Sequence, residues 1–157
     1  MTRPEKAVRF FLDGCNCSQS VVLAFCDETG LDEKTALRLS SPFGGGTGRL
    51  REVCGTVSGA SMVLGWLYGE GSERDRGIKA HLYMLVQSLA KEFAARNGSY
   101  ICRELLSLGA GPDSYVPQER TAEYYRRRPC AECVRSAAEI LEKLIARQDA
   151  QCGSEDG

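Results

Sequence analysis

Apolar residues recur at intervals of three and four along most of this 157-residue chain, and no segment alternates convincingly like a β-strand. The longest stripe joins Ile78, Leu82, Leu85, Leu89 and Phe93. Glycine, proline and asparagine residues separate one stripe from the next, as helix stops and caps do. The pattern predicts an all-α fold, a compact bundle of about five to seven helices.

These stop and cap signals also give approximate helix boundaries. Asp32 and Pro42 bracket a third helix, and Ser72 with Asp75 resembles a capping box that opens the longest one. The other expected helices are about 4–12, 16–29, 48–68, 73–96, 100–108 and 130–148, with a further short one within 118–128. We expect a single domain over 1–150 and a flexible tail over 151–157.

Charge and hydropathy exclude several classes of function. The formal net charge is −1, so no overall positive field favours nucleic acid or an anionic membrane. No apolar run approaches the length of a membrane span, and the first residues lack the apolar core of a secretion signal. We therefore expect a cytoplasmic protein without membrane insertion or nucleic-acid binding.

The glycine-rich stretch "FGGGTGRLREVCGTVSGA" resembles a phosphate-binding loop only superficially. A Walker loop needs Gly-Lys-Ser/Thr, whereas Arg49 and Leu50 follow Gly48. A dinucleotide fingerprint starting at Gly44 needs a glycine where Arg49 stands, and no strand precedes it. We interpret the glycines as a tight turn that launches the fourth helix and points Cys54 inward.

Cysteine is the unusual component of the sequence. The chain contains eight, at positions 15, 17, 26, 54, 102, 130, 133 and 152. In a reducing compartment, cysteine-rich chains use thiols as metal ligands or redox groups more than as structural disulfides. Taken singly, each cysteine is better interpreted as a small buried apolar residue, and only its position along the chain favours another use.

The expected helix boundaries place several of these cysteines near helix starts. Cys17, Cys54 and Cys102 each fall in the opening turns of a different helix, and Cys130 and Cys133 open the last one. A helix N-terminus favours the thiolate and lowers its pKa. If these helix starts converge, the thiolates could hold a metal or an iron–sulfur cluster, or could cycle between dithiol and disulfide.

Spacing alone does not choose between these uses. "CAEC", Cys130 to Cys133, has the form of both zinc sites and redox dithiols, and "CNC", Cys15 to Cys17, is a weaker ligand pair. The lack of a second C-x-x-C argues against a zinc ribbon, and the lack of a preceding strand argues against a thioredoxin fold.

Four segments together resemble the C-GCAxxG-C-C family of redox-active proteins: "GCNCSQSVVLAFCDETGL", "FGGGTGRLREVCGTVSGASMVLGWLYG", "GSYICRELLSLG" and "CAECVRSAAEILE". The resemblance covers about 14–142, and the order and spacing of all four segments agree. It assigns the four family cysteines to Cys17, Cys54, Cys102 and Cys133. The name motif falls on 54–59, with Thr56 where alanine is usual.

The resemblance implies a redox-active or metal-binding module in which those four cysteines bind an iron–sulfur cluster or other thiophilic metal. Cys130 and Cys15 are the candidates for a substitute or extra ligand. It implies an unidentified redox partner protein and no particular substrate, so enzyme activity stays open. Two alternatives remain: a metal-free thiol/disulfide protein, through Cys130–Cys133 or two family cysteines, and a helical interaction module with buried cysteines, dimeric through small residues of the fourth helix.

The remaining polar residues receive simpler interpretations. His81, the single histidine, is expected at the surface or its boundary, and it cannot complete a Ser-His-Asp set without a nucleophile elbow. Arg49 and Arg51 are expected to pair with Glu52 and its neighbours at the surface, or to offset the charge of thiolates near Cys54. The basic run 126–128 is expected to be a solvated face or helix-end charge.

Overall fold

The structure is a computed structural model, and it describes residues 1–155. Within that range it has nine helices, no strands and one 3₁₀ turn, Ser41–Phe43; six of the helices contain seven residues or more. We label them α1 (Arg3–Leu12), α2 (Cys17–Ala24), α3 (Cys26–Thr29), α4 (Glu33–Ser40), α5 (Gly55–Tyr68), α6 (Arg76–Asn97), α7 (Cys102–Leu105), α8 (Ala122–Arg127) and α9 (Cys130–Glu155).

The expected all-α fold is confirmed, but the helix count exceeds five to seven because some stripes are broken. The second expected helix is interrupted at Phe25, whose φ of −106° and ψ of 14° end α2 and begin α3. The Phe25 ring is fully buried, so core packing fixes this break. Apolar periodicity predicts which side chains face the core, but it does not predict a break in the helix at a residue that stays buried.

The start of the fourth expected helix is wrong by several residues. That helix, α5, begins at Gly55 instead of near Gly48, because the preceding residues turn in the left-handed region, with φ of 67° at Thr47, 68° at Arg49 and 61° at Arg51. The segment pairs with a distant loop instead: Val53 forms an isolated antiparallel bridge with Ile101.

Two further boundaries differ from expectation. Asp75 is the N-cap of α6, since its carboxylate accepts hydrogen bonds from the backbone N–H of Gly77 (2.8 Å) and Ile78 (3.1 Å). The Ser72 capping box is therefore wrong, and α6 with 22 residues is shorter than α9 with 26. Helix α9 continues past the expected end near Gln148 to Glu155; of the expected tail, 156–157 lie outside the described residues.

The core lies between five helices. Helix α2 packs against α1 and α5, and α9 packs against α1 and α6, which also contacts α5. Its largest fully buried side chains are Phe25, Phe93, Leu64, Leu85, Leu89, Ile140 and Leu141. None of the helices in 1–155 is long and apolar enough to cross a membrane. The first residues of α2, α5 and α9 line one cavity, so the N-terminal ends of these three helices meet at one side of the bundle.

Candidate functional site

Five cysteines from four helices line one small cavity. Cys17 is the first residue of α2, Cys54 is the N-cap of α5, Cys102 is the first residue of α7, and Cys130 and Cys133 lie in the first turn of α9. The cavity has a volume of about 60 Å³. The structure thus brings the four family cysteines together with Cys130, and their role as ligands stays a prediction.

Two of the thiols in this cavity have polar neighbours. The Cys54 sulfur lies 3.1 Å from the Thr56 hydroxyl. The Cys133 thiol approaches the side-chain oxygen of Asn97, at 4.0 Å. Cys54 is the N-cap of α5 and Cys133 lies in the first turn of α9, so the two helix starts meet at the cavity.

Two glycines allow the sulfur-bearing side chains to approach the backbone. A Cβ atom on Gly55 would lie 2.4 Å from the Cys17 sulfur and 2.6 Å from the Phe43 carbonyl oxygen. A Cβ atom on Gly46, whose φ is +64°, would lie 2.6 Å from the Cys102 Cβ atom. Any larger residue at these positions would displace part of the cavity wall.

Loop pairing brings Cys102 to the cavity. The Cys102 backbone N–H donates to the Glu52 carbonyl (2.6 Å), and the Cys54 N–H donates to the Tyr100 carbonyl (2.8 Å). These hydrogen bonds flank the Val53–Ile101 bridge and fix the start of α7 beside the start of α5.

Arg51 brings a positive charge next to a cysteine sulfur. Its side chain is 3% exposed, and its Nη1 atom lies 3.6 Å from the Cys102 sulfur. Asp113 holds the other side of the group, with 3.0 Å between Arg51 Nη2 and its carboxylate. The expected surface pairing with Glu52 is wrong, because Arg51 points inward and Glu52 pairs with Arg103 instead. The position matches the alternative, a cation that offsets thiolate charge.

The expected lowering of the cysteine pKa values is wrong for most of this set. Burial raises the pKa of Cys17 and of Cys130 to about 12, and nearby cysteines add to the effect. The neighbouring Cys133 thiol, which favours a proton on Cys54, and then burial hold the pKa of Cys54 well above its usual value. Burial raises the pKa of Cys102 although Arg51 acts in the opposite direction. Desolvation therefore outweighs the helix-terminal charge, and these thiols are protonated at neutral pH.

The other cysteines lie outside the cavity lining. The Cys26 thiol donates to the Val22 carbonyl at 3.7 Å, Cys152 is exposed on α9, and the Cys15 carbonyl accepts a hydrogen bond from Arg120. Of the two candidates for a substitute or extra ligand, Cys130 lines the cavity and Cys15 does not, and a ligand role for either stays a prediction. His81 is half-buried and 2.8 Å from the Gln148 side chain, in agreement with its expected boundary position.

The thiol geometry differs from that of a site for one metal ion. A tetrahedral ion with metal–sulfur bonds of about 2.3 Å needs sulfur atoms about 3.8 Å apart. Within residues 1–155, no three His, Cys, Asp or Glu side chains are grouped closely enough to hold a metal ion. A cluster binds its thiolates through different iron atoms, which separates their sulfurs further. The donors that line the cavity are thiols, the ligand type that iron–sulfur clusters and other thiophilic metals take.

Sequence reasoning missed three residues of the cavity lining: Arg120, Tyr124 and Arg128. The Arg120 guanidinium carbon lies 4.9 Å from the Tyr124 ring centre, and that of Arg128 lies 4.4 Å from it. The available signal was the interleaving of arginine and tyrosine in "ERTAEYYRRR", which is typical of cation–π stacking. Arg128, at the end of the basic run, is thus part of the lining, whereas the other two arginines of that run are exposed.

A comparison with family models identifies the relatives of this chain. The family described as "Putative redox-active protein (C_GCAxxG_C_C)" matches residues 15–144, which is most of the sequence and includes every cysteine of the cavity. Neither curated proteins nor solved structures give a significant match. The chain belongs to the C_GCAxxG_C_C family of redox-active proteins.

Proposed function

We propose that this protein is an electron-transfer or redox-sensing module that holds an iron–sulfur cluster or another thiophilic metal through Cys17, Cys54, Cys102 and Cys133. The observation that carries the proposal is the meeting of these cysteines, from four separate helices, on one cavity of about 60 Å³. Buried cysteines that served only as core residues would have no reason to share a cavity with a buried guanidinium.

The surroundings of the thiols support a redox centre. When bound, a cluster supplies a reversible electron couple whose potential depends on charge, hydrogen bonds to sulfur and exposure. Arg51 places a positive charge 3.6 Å from the Cys102 sulfur, and the Thr56 hydroxyl lies 3.1 Å from the Cys54 sulfur. Both groups stabilise negative charge on sulfur, and the packed wall of the cavity limits the access of water.

The site would release protons when it binds a metal or cluster. The pKa of Cys17 is raised to about 12 by burial, and the pKa of Cys102 is raised by the same cause. Since thiolates are the metal ligands, each of these cysteines must give up its proton on binding. We therefore expect loading to release protons and to weaken as the pH falls.

The test is purification of the full chain without oxygen, followed by measurement of iron, labile sulfide and visible absorption. We expect brown protein with near-stoichiometric iron, and colourless metal-free protein from Cys17→Ser and Cys102→Ser. The matched controls are Cys26→Ser and Cys152→Ser, because neither residue lines the cavity. Colourless wild-type protein without bound metal, also after reconstitution with iron and sulfide, would contradict the proposal.

A second candidate function is a metal-free dithiol/disulfide couple, and we favour Cys54 with Cys133 because both thiols are buried and line the same cavity. Oxidation would join the two sulfurs and pass two electrons and two protons to a disulfide or quinone acceptor. The sequence left two kinds of pair open, the C-x-x-C pair Cys130–Cys133 and a pair of family cysteines, and Cys54–Cys133 is of the second kind.

Mild oxidation of metal-free protein followed by peptide mapping separates these pairs. A single Cys54–Cys133 bridge that is lost in Cys133→Ser, while Cys130→Ser retains it, would support the second function. Scrambled bridges, or a predominant Cys130–Cys133 bridge, would count against that pair.

A further inference from the structure

A second cavity of about 230 Å³ adjoins the cysteine cavity and is lined by four arginines. They are Arg49, Arg51, Arg120 and Arg128, and three of the four also line the cysteine cavity. No aspartate or glutamate is among the described residues that line this second cavity, which we call the arginine cavity. Its charge is local, because the whole chain has a formal net charge of −1.

The neutralisation of these arginines is incomplete. Asp113 is shared between Arg49, at 3.1 Å, and Arg51, at 3.0 Å. Arg120 and Arg128 form no ion pair with any carboxylate of the described part of the chain. Four guanidinium groups therefore share one carboxylate, and the resulting positive potential attracts anions into the cavity.

Arg120 has an unused hydrogen-bond donor in this region. Its guanidinium carbon lies 4.8 Å from the Phe11 ring centre and 4.9 Å from that of Tyr124, so aromatic rings hold the group in place. Its Nη2 atom donates to the Cys15 carbonyl at 3.3 Å, whereas its Nη1 atom is buried without a partner among the described residues. A buried donor left unpaired is destabilising, and an oxyanion in the cavity would satisfy it.

We propose that the arginine cavity binds a small molecule through an oxyanion group, a phosphate, sulfate or carboxylate, held by Arg120 and Arg128. The planar guanidinium forks match the geometry of such groups. The cavity is smaller than the roughly 300–1,000 Å³ of pockets for drug-sized ligands, so the ligand is small. Binding of the anion does not depend on the proposed function. Only its role, as a substrate or effector of the adjacent thiols, rests on that function.

The test is calorimetric titration of the reduced, metal-free full chain with inorganic phosphate, sulfate or succinate at constant ionic strength. We expect saturable binding of one anion per chain by at least one of the three probes, and their ranking distinguishes tetrahedral oxyanions from carboxylates. Arg120→Gln removes a charge-assisted hydrogen bond and should weaken binding about tenfold or more.

The matched control is Arg126→Gln, which removes the same charge from an exposed position outside the cavity. Since Arg120 stacks on core rings, its variant could unfold, and Arg128→Gln is the second variant for that case. No saturable binding by any probe, or equal weakening by Arg126→Gln and the cavity variants, would overturn the proposal. The titration uses metal-free protein, so anion binding can be confirmed or refuted separately from the proposed iron–sulfur cluster.

Discussion

Replacement of Gly55 by alanine tests directly whether backbone space at the cavity is needed. The added Cβ would lie 2.4 Å from the Cys17 sulfur and 2.6 Å from the Phe43 carbonyl oxygen. Ordinary contact requires about 3.5–4.0 Å between carbon atoms, so one neighbour or the helix must move by about 1 Å. The cysteine side chain can rotate, but the carbonyl belongs to the backbone of a neighbouring segment.

The expected magnitude follows from a comparison within the same helix. Gly65→Ala adds a Cβ with no heavy atom within 4 Å, so it should gain about 1 kcal/mol of helix propensity. Gly55→Ala carries an overpacking cost of about 1–3 kcal/mol, and it should be less stable than Gly65→Ala by at least that much. For a domain of this size the difference corresponds to a Tm lower by about 2–12 °C.

Urea unfolding of the two variants and wild type, monitored by circular dichroism, measures this difference. The sulfur of Cys17 should also move, so alkylation of that thiol should be faster in Gly55→Ala than in Gly65→Ala. Equal free energies of unfolding for the two variants would refute the reasoning, because the residues around Gly55 would then accommodate the added Cβ without loss of stability.

Three further predictions follow from single groups. The pKa of Cys17 is ordinarily 9.0 and is raised to about 12 by burial, so between these values the unfolded chain binds fewer protons than the folded one. The contribution of Cys17 to the free energy of unfolding should thus fall from pH 9 towards 12, by at most about 4 kcal/mol. Cys17→Ser should make the decline measured by urea unfolding less steep, while other buried thiols such as Cys130 keep their share of it. Asp75→Ala removes the cap of α6 and should cost about 1 kcal/mol by the same assay, whereas an unchanged midpoint would contradict the cap. Trp66→Phe removes a 2.7 Å hydrogen bond to the Thr29 carbonyl and should cost about 0.5–1.5 kcal/mol in thermal unfolding; a higher Tm would contradict that role.

Local signals in the sequence were sufficient for much of the fold. Helix type follows from apolar periodicity, and the starts at Cys17 and Cys130 follow from an asparagine cap and a preceding proline. Such capping signals act over a few residues, so they can be identified from the sequence alone. The helix starts predicted from them placed the cysteines near helix N-termini, which suggested that the cysteines meet.

The failures of sequence reasoning share a physical cause, which is pairing between distant segments. Arg51 is buried because Asp113, 62 residues later, holds its guanidinium. Cys54 caps its helix because its backbone bonds to Tyr100. The Arg120 guanidinium is held in the cavity lining by rings from α1 and α8. Neither composition nor periodicity encodes these contacts.

The short helix α7 gives the sulfur-lined cavity its own mode of opening. Cys54 and Cys133 belong to the main hydrophobic cluster, whereas Cys102 lies outside it. The Cys102 N–H donates to the Glu52 carbonyl, and the N–H of the next residue, Arg103, donates to the Arg51 carbonyl. Rupture of those few bonds would swing one wall outward while the bundle stays intact. Sub-global fluctuations of this kind require less free energy than complete unfolding. Exchange of amide hydrogens around Cys102 should therefore be faster than in α9, and reagents should reach the interior through that wall.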